Sequence, residues 1–432
     1  MSEVMAVSAL AADADAFFRA RHETEPMLAL RSRALTRYEE LPVPHYEKSD
    51  ISRRNLTAFT INSDAASSPS GALDWQTIAA PYLDQNGAGV LLVFADGKLV
   101  SERGIAALPQ GIVVEPLLDA VGKRPELLKK LHTAVPFDEN RLLALQAGLW
   151  RDGIYVSIAR GVTFETPIQI VHVVTRGGAG SFIHNLYEAG DGSTATILET
   201  YLAASDLADH LHVGVTEAFI GQGARIKGGV VSDLPRRMTS VVVRRALVGR
   251  DAAMDWVVGE VGDGYTVSEI GSRLVGQGST STCHAVVLGS GRAHADLTAR
   301  MVHEAKFSES DTTARGVMQG HAFGVYRGIT HILKGASGSN GQQAEKLLMM
   351  SPESRADAIP MLLIDENDVK CGHAASVGQI NEEQLFYLMS RGISEGAAKK
   401  MVVWGFLDPV LAQLPVDSVR GAVERVLERK MK

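Results

Sequence analysis

Cysteine and histidine offer the softest and most versatile donor atoms in this 432-residue chain, which has 2 of the first and 13 of the second. The tightest pair of them is Cys371-Gly-His373. In an extended segment, residues two apart project from the same face, so thiol and imidazole could reach one iron or one persulfide sulfur. A neutral imidazole is a good iron ligand. One that replaces a thiolate raises a cluster's potential. Cys371 also has a plainer reading, a small residue packing as a hydrophobe.

The other candidates carry less. Cys283 and His284 are adjacent, so in a strand they point to opposite faces; Cys283 reads as a core residue. His284, His294 and His303 have no ligand-like spacing. His210 and His212 share a strand face, but two histidines without a third ligand are weak evidence for a metal, and they read as structural or solvent-facing. Two cysteines are too few for a self-sufficient cluster, which normally takes about four thiolates, so a cluster held here borrows ligands from another chain. The sequence has no GxxxxGK[ST], so ATP binding of the P-loop kind is excluded. Gly221-Gln-Gly and Gly276-Gln-Gly open no helix and are not dinucleotide fingerprints. Gly289-Ser-Gly matches a nucleophile elbow only in part.

The elements that position these residues fall into three zones. Residues 8–40 read as two helices broken at Pro26, and Ser63–Gly71 as a loop. Val90–Phe94 is a strand closed by the turn Asp96-Gly97, and Leu117–Leu131 and Asn140–Leu149 read as helices. From about residue 150, short β-rich runs take over, among them Ile168–Val174, Thr194–Tyr201, Arg225–Val231, Ser240–Val248, Met254–Val258 and His284–Leu288. Glycine turns punctuate them at Gly190, Gly221, Gly249 and Gly276, spaced by 31, 28 and 27 residues. Such a period suits stacked β-coils in which each coil buries its neighbour's inner face; a β-sandwich is the alternative.

Helices return after about residue 378. Asn381 caps the first, with Glu382 and Glu383 in its opening turn and Leu385, Phe386, Leu388 and Met389 on its apolar side. Ser394 starts a second, with Ala398, Met401, Val402 and Phe406 expected inward, and a third presents Val419, Val423, Val426 and Leu427 on one face. This zone differs enough in pattern from the β-rich run to suggest a separate unit, a cap over the end of the coils whose removal leaves them folded. The expected divisions are residues 1–145, 146–378 and 379–432. Hydrophobic content of 45% and charged content of 22% fit a folded soluble protein. A net charge of −7 argues against nucleic-acid binding. No apolar run is long enough for a membrane span, there is no basic n-region before an apolar stretch, and two cysteines suit a reducing compartment; the cytoplasm is the expected location.

Three segments resemble one known family. Leu145–Ile170 (LQAGLWRDGIYVSIARGVTFETPIQI) includes Asp152-Gly153, Gly161-Val162 and Glu165-x-Pro167-Ile168; Arg315–Gly338 reads RGVMQGHAFGVYRGITHILKGASG. The most specific is Ile364–Ile393, IDENDVKCGHAASVGQINEEQLFYLMSRGI. Together they are similar to the SufB/SufD family of SUF iron–sulfur cluster assembly proteins over about residues 145–432, with CGHAASVGQI in the style of its SufD branch; the first 140 residues are less alike. The resemblance implies a mainly β fold, a right-handed parallel β-helix core with N-terminal and C-terminal helical domains. It implies a non-catalytic scaffold that pairs with SufB and binds the ABC-type ATPase SufC, with a transient iron–sulfur cluster shared with SufB. His373 matches the family histidine proposed to face SufB. The C-terminal helices, with Leu385, Phe386, Tyr387, Arg391 and Phe406, are the expected SufC docking region. The residues give no support to a flavin. Ser339–Glu345 (SNGQQAE) departs from family members that carry a Lys-Thr-Asp run there. Two other readings are a SufB-like homodimeric scaffold, disfavoured by the cysteine count, and a β-helix enzyme acting on polysaccharide, disfavoured by the lack of a dense Asp cluster in the β-rich zone.

Overall fold

A computed structural model describes residues 2–61, 74–83, 89–151, 153–178, 180–205 and 207–431. The expected loop at Ser63–Gly71 and the motif residue Asp152 lie outside the described residues. Helices α1 (Ser2–Ala20) and α2 (Glu25–Glu40) are separated at residues 21–24 and not at Pro26, which sits in the first turn of α2 where its missing N–H costs nothing. After α3 (Trp75–Ala79), the hairpin β1 (Val90–Ala95) and β2 (Lys98–Arg103) turns at Asp96-Gly97, both with positive φ. Strand β3 (Ile112–Pro116) leads to α4 (Leu117–Lys123), shorter than the helix expected to reach Leu131. Pro125 disfavours helical geometry in the residue before it, and a 3₁₀ turn, Pro125–Lys129, follows. Helix α5 (Arg141–Leu149) is capped by the Asn140 side chain, which accepts from the N–H groups of Leu142 and Leu143.

The rest is a two-sided parallel β-solenoid. One sheet contains β5 (Thr163–Val174), β7 (Thr194–Ala203), β9 (Arg225–Asp233), β11 (Ala253–Glu260), β13 (Thr280–Gly289), β15 (Glu309–Met318), β17 (Asn340–Met349) and β19 (Lys370–Gln379). The facing sheet contains β4 (Ile154–Ile158), β6 (Ser181–Ala189), β8 (His210–Ile220), β10 (Met238–Val248), β12 (Tyr265–Leu274), β14 (His294–His303), β16 (Phe323–Ile332) and β18 (Arg355–Ile364). Both sheets start ahead of residue 146: β1 pairs in parallel with β5, and β3 runs antiparallel to β4.

The glycine period measures the coil. Thr194 pairs with Arg225, Arg225 with Ala253 and Ala253 with Thr280, offsets of 31, 28 and 27 residues that equal the spacings of the glycine turns. Each turn needs one left-handed residue in its third position. Gly192, Gly223 and Gly278 supply it at φ 65, 68 and 70°, and Asp251 adopts φ 51° in the one turn without glycine there.

Inside the coils, one apolar core runs along the solenoid, built from alternate residues such as Ile168, Ile170, Ile226, Trp256, Ala285 and Leu347. The outer face of the even-numbered sheet is covered by α1, α2 and α5. The C-terminal helices are α6 (Glu382–Ser390), α7 (Glu395–Leu411) and α8 (Asp417–Lys430); α7 and α8 cover the outer face of the odd-numbered sheet, and α6 packs on α7. Here the structure departs from the expected cap. Val403, Leu407, Val410, Val419, Val423 and Leu427 pack against Val171, Leu198, Val231, Val257 and Leu288 along the solenoid's flank. Lys430 Nζ donates to the carbonyls of Gly262 (2.9 Å) and Leu288 (3.1 Å) and pairs with Asp263. The helical zone is therefore a side wall, and among the described residues no element covers the last coil, β18 with β19.

Candidate functional site

Cys371 and His373 stand on that uncovered coil. In-register parallel pairing puts Cys371 beside Gly341 and His373 beside Gln343 of β17. Gly341, Gln343, Glu345 and Leu347 are the buried, inward-facing row of β17, alternating with exposed Gln342 and Lys346. Pleats stay in phase across a parallel ladder, so Cys371, His373 and Val377 continue the inner row. Cys371 is half-buried and His373 exposed, because no further coil follows. The expected shared face is thus present. Burial pushes the Cys371 thiol up, opposed by the Gly372 backbone N–H. β18 and β19 are the terminal strands of their sheets, so both offer an unpaired edge. Ile364 and Val377 add exposed apolar surface, 44% and 41% accessible.

A second surface lies on the C-terminal helices. Asn381 caps α6 through its side chain, as its type suggests. Phe386, Tyr387, Met389 and Met401 project into solvent, Phe386 at 73% exposure, beside a groove between α6 and α7 that includes Leu388 and Val402. Arg391 lies over the Tyr387 ring. Leu385 and Phe406, expected in the docking region, are engaged within the chain. Leu385 is buried; Phe406 packs against the side wall, its carbonyl accepting from Arg315, whose guanidinium also faces its ring. Met401, expected inward, is half exposed, while Val403 and Leu407 point in. Helix α7 is apolar on nearly every side, so its pattern does not fix which side faces the sheet.

The remaining candidates are structural. Cys283 is fully buried in the solenoid interior, where burial pushes its thiol up to about 12, and His284 points the other way. His210 and His212 are buried around Ser181 Oγ (3.3 and 2.8 Å), so the solvent-facing alternative is excluded. His303 bridges Ser308 and Ser310, and His294 stacks on Tyr265 at 4.2 Å.

Two polar groupings were invisible in the sequence. His132, His184 and Glu217 place ligand atoms within 4.8 Å of one another in a buried cluster. Glu217 accepts from the N–H groups of His132, Ala134 and Val135 and meets His184 Nε2 at 2.9 Å, across separations of up to 85 residues. The carboxylate is saturated by donors and clamps the 132–135 loop. Inside the solenoid, Glu199 receives Tyr187 (2.7 Å), Tyr201 and Thr216 (3.0 Å) and faces Arg244 at 3.6 Å. Among the described residues, no helix is long and apolar enough to cross a membrane.

Residues 172–406 match the model of the SufBD core domain, described as SUF system FeS cluster assembly, and residues 14–170 match the SufBD protein N-terminal region. The chain is 35% identical to the iron–sulfur cluster assembly protein SufD of Bacillus subtilis over 423 residues, 96% of both chains. It is 26% identical to an iron–sulfur cluster assembly SufBD family protein of Staphylococcus saprophyticus over 409 residues, 92% of this chain and 88% of that one. A Staphylococcus aureus protein of the same description matches at 26% over 408 residues, with the same coverage.

Proposed function

The chain belongs to the SufBD family of SUF-system iron–sulfur cluster assembly proteins, and from that premise we propose that it is a SufD-like scaffold subunit working at the open end of its solenoid. The observation that carries this reading is the uncovered last coil. Both sheets end there in unpaired strands, flanked by exposed Ile364 and Val377, with His373 and Cys371 on the inward row. An open edge of this kind is completed by strands of another chain. We assign that role to a second, cysteine-richer homologue, SufB.

In the joined structure, His373 contributes a nitrogen ligand to a transient cluster whose thiolates come mainly from the partner. The cluster is the cargo of the complex. A mixed ligand set holds it less tightly than four thiolates would. Cys371, two residues away on the same face, is a further donor to iron or to sulfur. The exposed Phe386, Tyr387, Met389 and Met401 on α6 and α7 form the docking surface for the ATPase SufC, which supplies the energy this chain cannot take from ATP itself.

Co-expression tests the pairing. The double change Ile364→Lys with Val377→Lys sets charges on exposed positions, so the isolated chain should melt as wild type while capture of the cysteine-rich homologue is lost. Unchanged capture by the double variant would place the interface elsewhere.

A further inference from the structure

One coil beneath the open end, the interior holds acceptors that make no hydrogen bond, with the equally unpartnered hydroxyl of Tyr326 near Glu345. Both carboxylate oxygens of Glu345 and the amide oxygen of Gln343 are buried without a hydrogen-bond partner. Glu345 is fully buried and Gln343 nearly so. The amide's orientation is fixed by its other end: Nε2 donates to Thr330 Oγ1 at 2.7 Å and to the Met361 carbonyl at 3.4 Å. A flipped amide would set oxygen against that carbonyl, so Oε1 faces the other way. There it meets the space over Gly328 of β16. A Cβ at Gly328 would collide with Glu345 Oε1 and lie 3.0 Å from Gln343 Oε1. Glycine therefore lets the oxygens of two side chains converge against the backbone of β16.

A carboxylate in such a place is stable only when it holds a proton or a cation. Burial pushes the Glu345 carboxyl up to about 7. In register above Gln343, on the last coil, stands His373.

We propose that Glu345 and Gln343 form the inner half of a divalent-cation site entered from the open end of the solenoid, with His373 as its outer ligand. Carboxylate, amide oxygen and imidazole together suit ferrous or manganous ions rather than the soft metals that thiolates select. That the resident cation is ferrous iron on its way to a cluster rests on the function proposed above; the site itself does not. In the buried cluster of His132, His184 and Glu217 both ring nitrogens of His132 lack a partner, but the carboxylate already accepts three backbone N–H groups and needs no cation.

The test is anaerobic titration of the full chain, without partners, with Mn²⁺, reading free Mn²⁺ by electron paramagnetic resonance and competing with Fe²⁺. The expected result is about one Mn²⁺ per chain, displaced by Fe²⁺, with Glu345→Gln weakening binding by about tenfold or more. Because glutamine is neutral and of the same shape, the metal-free variant should melt at or above the wild-type temperature, and Mn²⁺ should raise the melting temperature of the wild type alone. A wild-type chain that binds no Mn²⁺, or a Glu345→Gln chain that binds it equally, would overturn the proposal and leave Glu345 a protonated buried acid. The titration involves no cluster, so it decides the site even where the assembly reading fails.

Discussion

Removing residues 381–432 should unfold the solenoid or make it aggregate, although the sequence pattern suggests a detachable unit. Nine valines and leucines on β5 to β15 lie in the layer beneath the C-terminal helices, with Val403, Leu407, Val419 and Val423 facing them. Full burial of such a side chain is worth about 1.5–3 kcal/mol. If truncation re-exposes about half of each, the loss is about 1 kcal/mol per residue, or roughly 9 kcal/mol. That is comparable with the whole stability of a typical domain, about 5–15 kcal/mol. The new surface would also be a contiguous apolar patch on a parallel sheet, which favours aggregation. The assay is expression of residues 1–380, followed by size-exclusion chromatography, binding of a hydrophobic dye and thermal melting by circular dichroism. A truncated chain that is monomeric, binds no dye and melts within a few degrees of full length would refute the side-wall argument. It follows that the proposed docking of an ATPase is better probed by surface changes than by deletion.

Phe386→Ala with Tyr387→Ala should reduce capture of the ATPase while shifting stability by less than about 0.5 kcal/mol, because both rings are exposed; intact capture would move the docking surface. Cys283→Ala should leave cluster assembly normal at a cost of about 1 kcal/mol from the small cavity, and a thiol reagent should label only Cys371 in the native chain; two native labels would mean that Cys283 was misplaced. Melting temperature should fall between about pH 6.5 and 4. His210, His212 and His303 are held neutral by burial, with folded values near 4, 3 and 4 against an ordinary 6.5. The unfolded chain therefore takes up protons first as pH drops, and the stability present above pH 6.5 is lost on the way down. Equal melting temperatures at pH 7.5 and pH 5 would contradict this.

Local signals were legible where one residue decides one conformation. Asn140 and Asn381 cap the helices they precede, Asp96-Gly97 turns a hairpin, and the glycine spacing equals the coil offset residue for residue. Strict alternation separated Cys283, inside, from His284. Relations between elements were not legible. Helix α7 carries apolar residues almost all round, so its inward face is chosen by the sheet it meets, and Met401 ends outside. Nothing in the pattern says that the C-terminal helices fold back along the flank instead of closing the end. Glu217 with His184, and Gln343 and Glu345 with Gly328, meet because of coil register and facing sheets, which no spacing within one strand encodes. That Cys371 and His373 share a face was legible because both lie on one strand, and their exposure emerged only with the uncovered last coil.

The most direct test is the iron and acid-labile sulfide content of the co-expressed complex carrying His373→Ala, measured anaerobically beside its size-exclusion elution. The histidine is exposed on an edge strand, so its loss should leave the chain folded and the complex assembled. The account predicts that iron and sulfide fall together by about tenfold or more, and that His373→Cys, which restores a ligand of another kind, recovers part of the loss. A His373→Ala complex that elutes as wild type and carries wild-type iron and sulfide would contradict the claim that this chain lends a ligand to the cluster.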